Sequence, residues 1–434
     1  MTSDAERAVD GRLLALAVPA VFTLAAEPLY VLADTAIVGH IGTTALGGLG
    51  LAAIVLTTSA GMCNVLTWWT TSRVGFLHGA RDEASIRRVT STVLWLSLAL
   101  GATIAALVVG AAPAVVHVLG GSGTVHEAAV TYLRIGALGL PALLLAWAGM
   151  GVARGEGDTR SPMVVIVGAN ALNLLLEVWF VYRLDWGIAG SAWGTVAAQW
   201  TSAAVFTTRL IRRTHGELRP DLRELRTIGR VSVDLTIRTG ALFAALALAS
   251  AVAARIGAVA LAAHQVLSQL NMFIALVLDA AAIAAQALIA EAQGAGDTER
   301  LRLVIRRAAR LTLYGAIGLA ALLLGGMRVI PGAFTDDQSV VDAVAAVMPI
   351  LALMQFPAAA AYLLDGVLMG ESKFVTVRRS TLSGLVAFAL PAALVLARPS
   401  LGLHTVWLGL VGWVLARALV NATGLRTKRA TLVT

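Results

Sequence analysis

The sequence predicts an all-α integral membrane protein: twelve transmembrane helices in two six-helix lobes, related by a pseudo-two-fold axis along the membrane normal. Three observations predict it. Of 434 residues, 58% are hydrophobic and 13% are charged. Apolar stretches of about 20 residues, enough to cross a bilayer, recur along the whole chain. The two halves also repeat each other at one constant shift in residue number.

The expected spans are 12–38, 44–77, 84–112, 125–153, 160–182, 187–212, 226–253, 258–292, 298–326, 337–370, 373–397 and 401–424. Several exceed the bilayer thickness and are expected to tilt or to project beyond it. Basic residues alternate from loop to loop. Clusters at Arg81/Arg87/Arg88, Arg154/Arg160, Arg209 to Arg230, Arg300 to Arg310, Lys373/Arg378/Arg379 and Arg426/Lys428/Arg429 are separated by loops holding about one arginine each. By the positive-inside rule the basic loops are cytoplasmic, which puts both termini inside and requires an even number of spans. The net charge of +8 therefore points to a multi-pass plasma-membrane protein and not to a nucleic-acid partner. Asp4, Glu6 and Asp10 precede an apolar run too long for the core of a cleavable signal. The single cysteine, Cys63, excludes an intrachain disulfide.

The repeat sets the domain plan. Ile41-Gly42 recurs as Ile256-Gly257, Gly79-Ala80 as Gly294-Ala295, Asp82 as Asp297, and Gly151-Val152 and Gly155-Glu156 as Gly366-Val367 and Gly370-Glu371, all at a shift of 215. Six spans in each half give the halves the same orientation, the parallel type of transporter repeat. The expected parts are an N-terminal lobe over 1–212, a linker over 213–225 and a C-terminal lobe over 226–434.

The polar residues inside the spans carry the functional reading. A charge at the bilayer centre costs about 2.5–3.5 kcal/mol on insertion scales, so a helix that keeps one aims it at a cavity or a partner. The first span holds Glu27 and Asp34, seven residues apart on one face. The fifth holds Asn170, Asn173 and Glu177 at helical spacing, and the sixth Thr195 and Gln199. Counted at 1.5 Å per residue, Asp34, Glu177 and Thr195 share one depth, with Asn173 a turn further in. Two carboxylates, an amide and a hydroxyl make a proton or cation site; the alternative reading is interhelical hydrogen bonding. The same oxygens suit sodium as a hard cation. Glu27, Asn170 and Gln199, with Trp147 and Met150 on the fourth span, are candidates for the wall of a substrate cavity; ordinary helix packing accounts for the last two equally well.

Here the residues resemble a known family. VLADTAIVGHIG at 31–42, LAAHQV at 261–266 and DGVLMGES from Asp365 resemble motifs of the DinF-type branch of the multidrug and toxic compound extrusion (MATE) transporters. The resemblance covers essentially the whole chain. It implies two lobes around a central cavity, alternating access, and export of organic compounds driven by protons or sodium. Asp34 occupies the family's coupling position, and Asn173, Glu177 and Thr195 match its partners. Pro19 matches the proline at which span 1 bends. Glu177 departs from the commoner Asp, which counts against a tight sodium site. Glu27 stands where a neutral amide is typical of some members, and an acid there suits cationic substrates.

In the C-terminal half Asp234, Arg238, Asp279 and Asp365 form an expected polar network. Matched depths pair Arg238 with Asp279, because a buried arginine needs a carboxylate. The network reads equally as a second coupling element or as a static brace. His264 and Gln265, near the outer end of the eighth span, read as a pH-sensitive element or as a helix end in water, and the second is the expectation. No P-loop is present, and GEGD at 155–158 lacks the strand of a nucleotide fold. The reading is a cation-coupled antiporter, not an enzyme, that needs no cofactor beyond H+ or Na+. The proton is preferred, and Asp34 is expected to matter more than Glu177. Its partners are small organic, cationic or amphipathic substrates and membrane lipid, with the chain acting as a monomer. The alternative function is a flippase for a lipid-linked precursor. Such a protein holds pyrophosphate with several intramembrane cations, and the clear ones here are Arg73, Arg134, Arg238 and Arg417.

Overall fold

A computed structural model describes residues 2–214 and 219–430. Fourteen α-helices and no strand occur among them. In order they are α1 (Thr2–Gly39), α2 (Thr43–Gly61), α3 (Val65–Gly79), α4 (Glu83–Val118), α5 (Gly123–Ala137), α6 (Leu140–Gly155), α7 (Arg160–Val178), α8 (Gly187–Thr214), α9 (Leu222–Ile256), α10 (Ala258–Gly294), α11 (Thr298–Gly326), α12 (Gln338–Gly370), α13 (Phe374–Ala397) and α14 (Gly402–Ala430).

Every expected span is helical, but two are broken. The stretch 44–77 divides into α2 and α3 at Met62–Asn64. The stretch 125–153 divides into α5 and α6, which meet at an angle of 44°. The second break has a local cause: Gly139 precedes α6 and Pro141 lies in its first turn, where a missing N–H costs nothing. Apolar composition and length qualify ten helical segments as membrane spans, or eleven with the bent α5–α6 pair. The segment outside that count is α8. Its 28 residues are long enough, at about 42 Å, but Ser191, Thr195, Gln199 and Ser202 dilute its hydrophobicity.

Contacts divide the chain into two compact units, Val18–Ser232 and Met1–Ala17 with Val233–Thr434. The division departs from the lobes expected from sequence at both edges. The start of α1 belongs with the C-terminal half because Val9, Leu13 and Leu16 pack with Leu288, Ile289 and Val304 of α10 and α11. Arg12 binds Glu291 at 2.7 Å, and Arg307 bonds Glu6 at 2.8 Å and also Asp10. The linker expected at 213–225 overlaps the end of α8 and the start of α9, and its residues 215–218 lie outside the described residues.

The repeat is visible in local contacts within each unit. Gly42 and Gly257 precede α2 and α10 with φ of 145° and 146°, a region that favours glycine. Asp82 caps α4 by accepting from Ser85 N at 3.0 Å, and Asp297 caps α11 by accepting from Arg300 N at 2.8 Å. Gly155 brings α6 against Thr71 O and Val74, and Gly370 brings α12 against Gln286 O and Ile289. Each of these pairs is related by the shift of 215.

Candidate functional site

In the unit Val18–Ser232 the site is built by α1, α5, α7 and α8. Its foundation is a close approach of α7 and α8. A Cβ at Gly194 would lie 3.1 Å from Glu177 N and 3.2 Å from Asn173 Oδ1, and one at Gly190 would lie 3.0 Å from the Phe180 carbonyl carbon. Two glycines four apart let the backbones meet, as small residues do between membrane helices. Ser191 and Thr195, each one residue further along, are thereby brought to Glu177 and Asn173. Beyond Glu177 the helix widens into a π-turn, Trp179–Arg183, a form common near functional sites.

Asp34 is 5% exposed, and Glu177 and Ser191 are fully buried. Ser191 Oγ donates to Asp34 Oδ1 at 2.7 Å. The Glu177 carboxyl lies within hydrogen-bonding reach of the Asp34 carboxyl. Asn173 Nδ2 donates to Thr195 Oγ1 at 3.4 Å, and Tyr30 Oη meets the same hydroxyl at 2.8 Å. Thr195 in turn donates to the Ser191 carbonyl at 3.2 Å. The Tyr132 hydroxyl of α5 stands beside Thr195 and Ser191. The structure thus brings Asp34, Asn173, Glu177 and Thr195 into one cluster. Two carboxyls in contact and away from water cannot both ionise readily; such a pair titrates as a unit and is suited to holding one exchangeable proton.

The other candidates do not gather there. Glu27 is exposed although it shares a helical face with Asp34. Asn170 Nδ2 donates to Ala26 O at 3.0 Å, which ties α7 to α1 beside Pro28. Met150 packs in a core with Ala146 and Phe206, and Trp147 is half-buried against the same core. Gln199 lies against Gly139, where its amide occupies the place a Cβ would take. Pro19 is inside α1, one residue past the division between units, and its carbonyl accepts from Thr23 Oγ1 at 2.9 Å.

The second polar cluster lies within the C-terminal unit. Asp365 is 3% exposed. Its Oδ2 accepts from Arg238 at 3.1 Å and from Arg417 at 2.7 Å, and its Oδ1 from Asn421 Nδ2 at 2.6 Å. Arg238 therefore takes Asp365, where matched depths pair it with Asp279. The depth count fails because depth along a helix leaves its rotation open, and a long, flexible arginine side chain reaches along the membrane normal to a carboxylate at another depth. Asp279 stands beside Tyr362 in the same network, and Asp234 pairs with Arg378 at 2.5 Å. The Arg417 guanidinium also packs over Trp413 and Tyr362, 5.1 and 5.7 Å from the ring centres. His264 is buried, within 3.3 Å of Ser250 Oγ and beside Trp407, so its expected place in water is corrected. A helix end reaches water only where no neighbour covers it, and α14 covers this one.

The MatE family model matches residues 19–179 and 241–395. The chain belongs to the MatE family. It is 30% identical to Protein DETOXIFICATION 44, chloroplastic, of Arabidopsis thaliana, over 96% of this chain and 82% of that one. It is 30% identical to the DNA damage-inducible protein F of Escherichia coli, over 94% of this chain and 90% of that one. In fold it is similar to a solved mutant of the Vibrio cholerae MATE transporter VcmN, with a TM-score of 0.90 and 19% identity over 98% of each chain. The protein is a multi-pass membrane transporter of a multidrug-efflux family, and that family's members are transporters, not enzymes.

Within this MatE chain three residues of the cluster escaped the sequence reading: Ser191, Tyr30 and Tyr132. A signal for the first was available. Gly190 and Gly194 are spaced for close helix contact, and they bracket Ser191. The tyrosines gave none, since an aromatic residue in an apolar helix reads as packing.

Proposed function

We propose that this chain is a proton-coupled antiporter that exports organic, cationic or amphipathic compounds across the plasma membrane by alternating access. Twelve spans form two six-helix lobes related along the membrane normal, with both termini cytoplasmic. The observation that carries the reading is the buried Asp34–Glu177 contact, framed by Ser191, Thr195 and Asn173. When the cluster is open to the outside it takes up a proton. Neutralised, it packs where a charged cluster would not, and α1 bends near Pro19 and Pro28. Either proline removes one backbone hydrogen bond and weakens the helix there. The bend narrows the cavity and releases substrate. Linkage requires the reverse as well: bound substrate lowers proton affinity by the same factor.

Sodium is the second reading, since the cluster offers carboxyl, amide and hydroxyl oxygens. The proton is favoured because Glu177 meets a second carboxyl directly. The test is substrate efflux from proteoliposomes with proton and sodium gradients imposed separately. A pH gradient alone is expected to drive uphill export by the wild type and none by Asp34→Asn. Full uphill transport by Asp34→Asn would remove Asp34 from the coupling role, and strict dependence on sodium would remove the proton.

A further inference from the structure

Buried acceptors outnumber buried donors at the Asp34–Glu177 contact. Glu177 is fully buried. Neither of its carboxyl oxygens has a hydrogen-bond donor among the described residues. Asn173 Oδ1, one turn before it on the same helix, lacks a donor as well. A carboxylate shut away from water without a donor is strongly disfavoured, whereas the same group carrying a proton becomes a donor itself.

Asp34 is in the opposite position. Ser191 stands near both carboxyls, but its hydroxyl carries one proton, and the 2.7 Å hydrogen bond goes to Asp34 Oδ1. The nearby donors are used elsewhere: Asn173 gives to Thr195, and Thr195 gives to the Ser191 carbonyl, so neither bond reaches a carboxyl of the pair. The remaining titratable groups facing the pair are the phenols Tyr30 of α1 and Tyr132 of α5. Hydrogen bonds donated to a carboxylate favour its charged form.

We infer that Ser191 decides which member of the pair holds the proton, keeping Asp34 as the charged acceptor and leaving the proton on Glu177. Ser191 is thus a positioning residue. Its hydroxyl works through Asp34, and the exchangeable proton sits one helix away on α7. This placement rests on the proton-coupled reading above.

Infrared spectroscopy of the purified full-length transporter at neutral pH tests the placement. Exposed carboxyls are ionised at that pH, so a protonated carboxyl gives a distinct C=O band. The band is expected in the wild type and in Asp34→Asn, and is expected to vanish in Glu177→Met, which removes the carboxyl without adding a donor. Adding Ser191→Ala to Glu177→Met strips Asp34 of its donor, and the band is expected to return. Adding Ser191→Thr instead keeps a hydroxyl, and the band is expected to stay absent. A merely structural serine would not restore a carboxyl band in that way. A band lost in Asp34→Asn and kept in Glu177→Met would overturn the placement, as would no band in the wild type. A double variant with Ser191→Ala that stays silent would overturn the role of Ser191. Gradient-driven efflux reads the parent proposal separately: sodium-driven export defeats that proposal, whereas a band that follows Asp34 defeats only the placement.

Discussion

At the scale of the residue, the two polar clusters differ in what their carboxylates touch. Asp365 receives two guanidinium groups and an amide, so its charge is matched several times over. Asp34 receives one hydroxyl and faces another acid. The first arrangement holds a charge in place; the second lets one come and go. Asp365→Ala is therefore expected to act on folding, because it strands the buried Arg417 and the half-buried Arg238. A loss of about 3–5 kcal/mol is expected, read as a lower midpoint of thermal unfolding in detergent. Asp34→Asn is expected to leave that midpoint nearly unchanged while abolishing uphill transport. Outside the membrane, the hydrogen bonds from Ser85 hold the Asp82 carboxyl below its ordinary range. A depressed carboxylate stabilises the fold above its unfolded pKa and loses that contribution as pH falls through the folded value. Asp82→Asn should therefore flatten the acid side of the stability profile, which a pH series of melting curves would show. Asp82 was legible as a repeat position alone; its capping geometry was not, because a cap depends on backbone angles that an aspartate in a list does not reveal.

At the scale of the element, glycine spacing decides which helices touch. Gly366 brings α12 onto the Ala282 carbonyl of α10, whereas a Cβ at Gly315 of α11 would meet nothing within 4 Å. Gly366→Ala is expected to destabilise by about 1–3 kcal/mol through overpacking. Gly315→Ala is expected to stabilise by up to ~1 kcal/mol through helix propensity. Thermal unfolding of the two variants side by side checks both signs. Gly194→Ala would push α8 from α7 at the proton site, and its effect is expected on transport before stability. The breaks between α2 and α3 and between α5 and α6 were not legible, since apolarity runs through both. Only Gly139 and Pro141 hinted at the second.

At the scale of the whole molecule, α1 is shared. Its first turns are stapled to the C-terminal half by Arg12–Glu291 and by Arg307 with Asp10 and Glu6. The same helix then continues through Pro19 into the unit that holds Asp34. Breaking the staple should loosen the start of α1 without touching the proton site. Arg307→Ala is expected to speed amide hydrogen exchange over residues 4–17 and to leave exchange around Glu177 as it was. Faster exchange at both places would mean that the variant is globally less stable.

By itself the sequence determined the membrane class, the helical character of the spans though not the breaks in two of them, the repeat at 215 and the four residues of the N-terminal cluster. These follow from properties counted along the chain: apolar length, helical periodicity and depth at a fixed rise per residue. What the tertiary structure decided was partnership. It joined Arg238 to Asp365 instead of Asp279, buried His264, exposed Glu27 and brought Ser191 to Asp34. It also moved the start of α1 to the other half. Depth along a helix leaves its rotation and its neighbours open, and a hydrogen bond is made or lost within about an ångström of side-chain placement. Those distances exist only once the helices have packed.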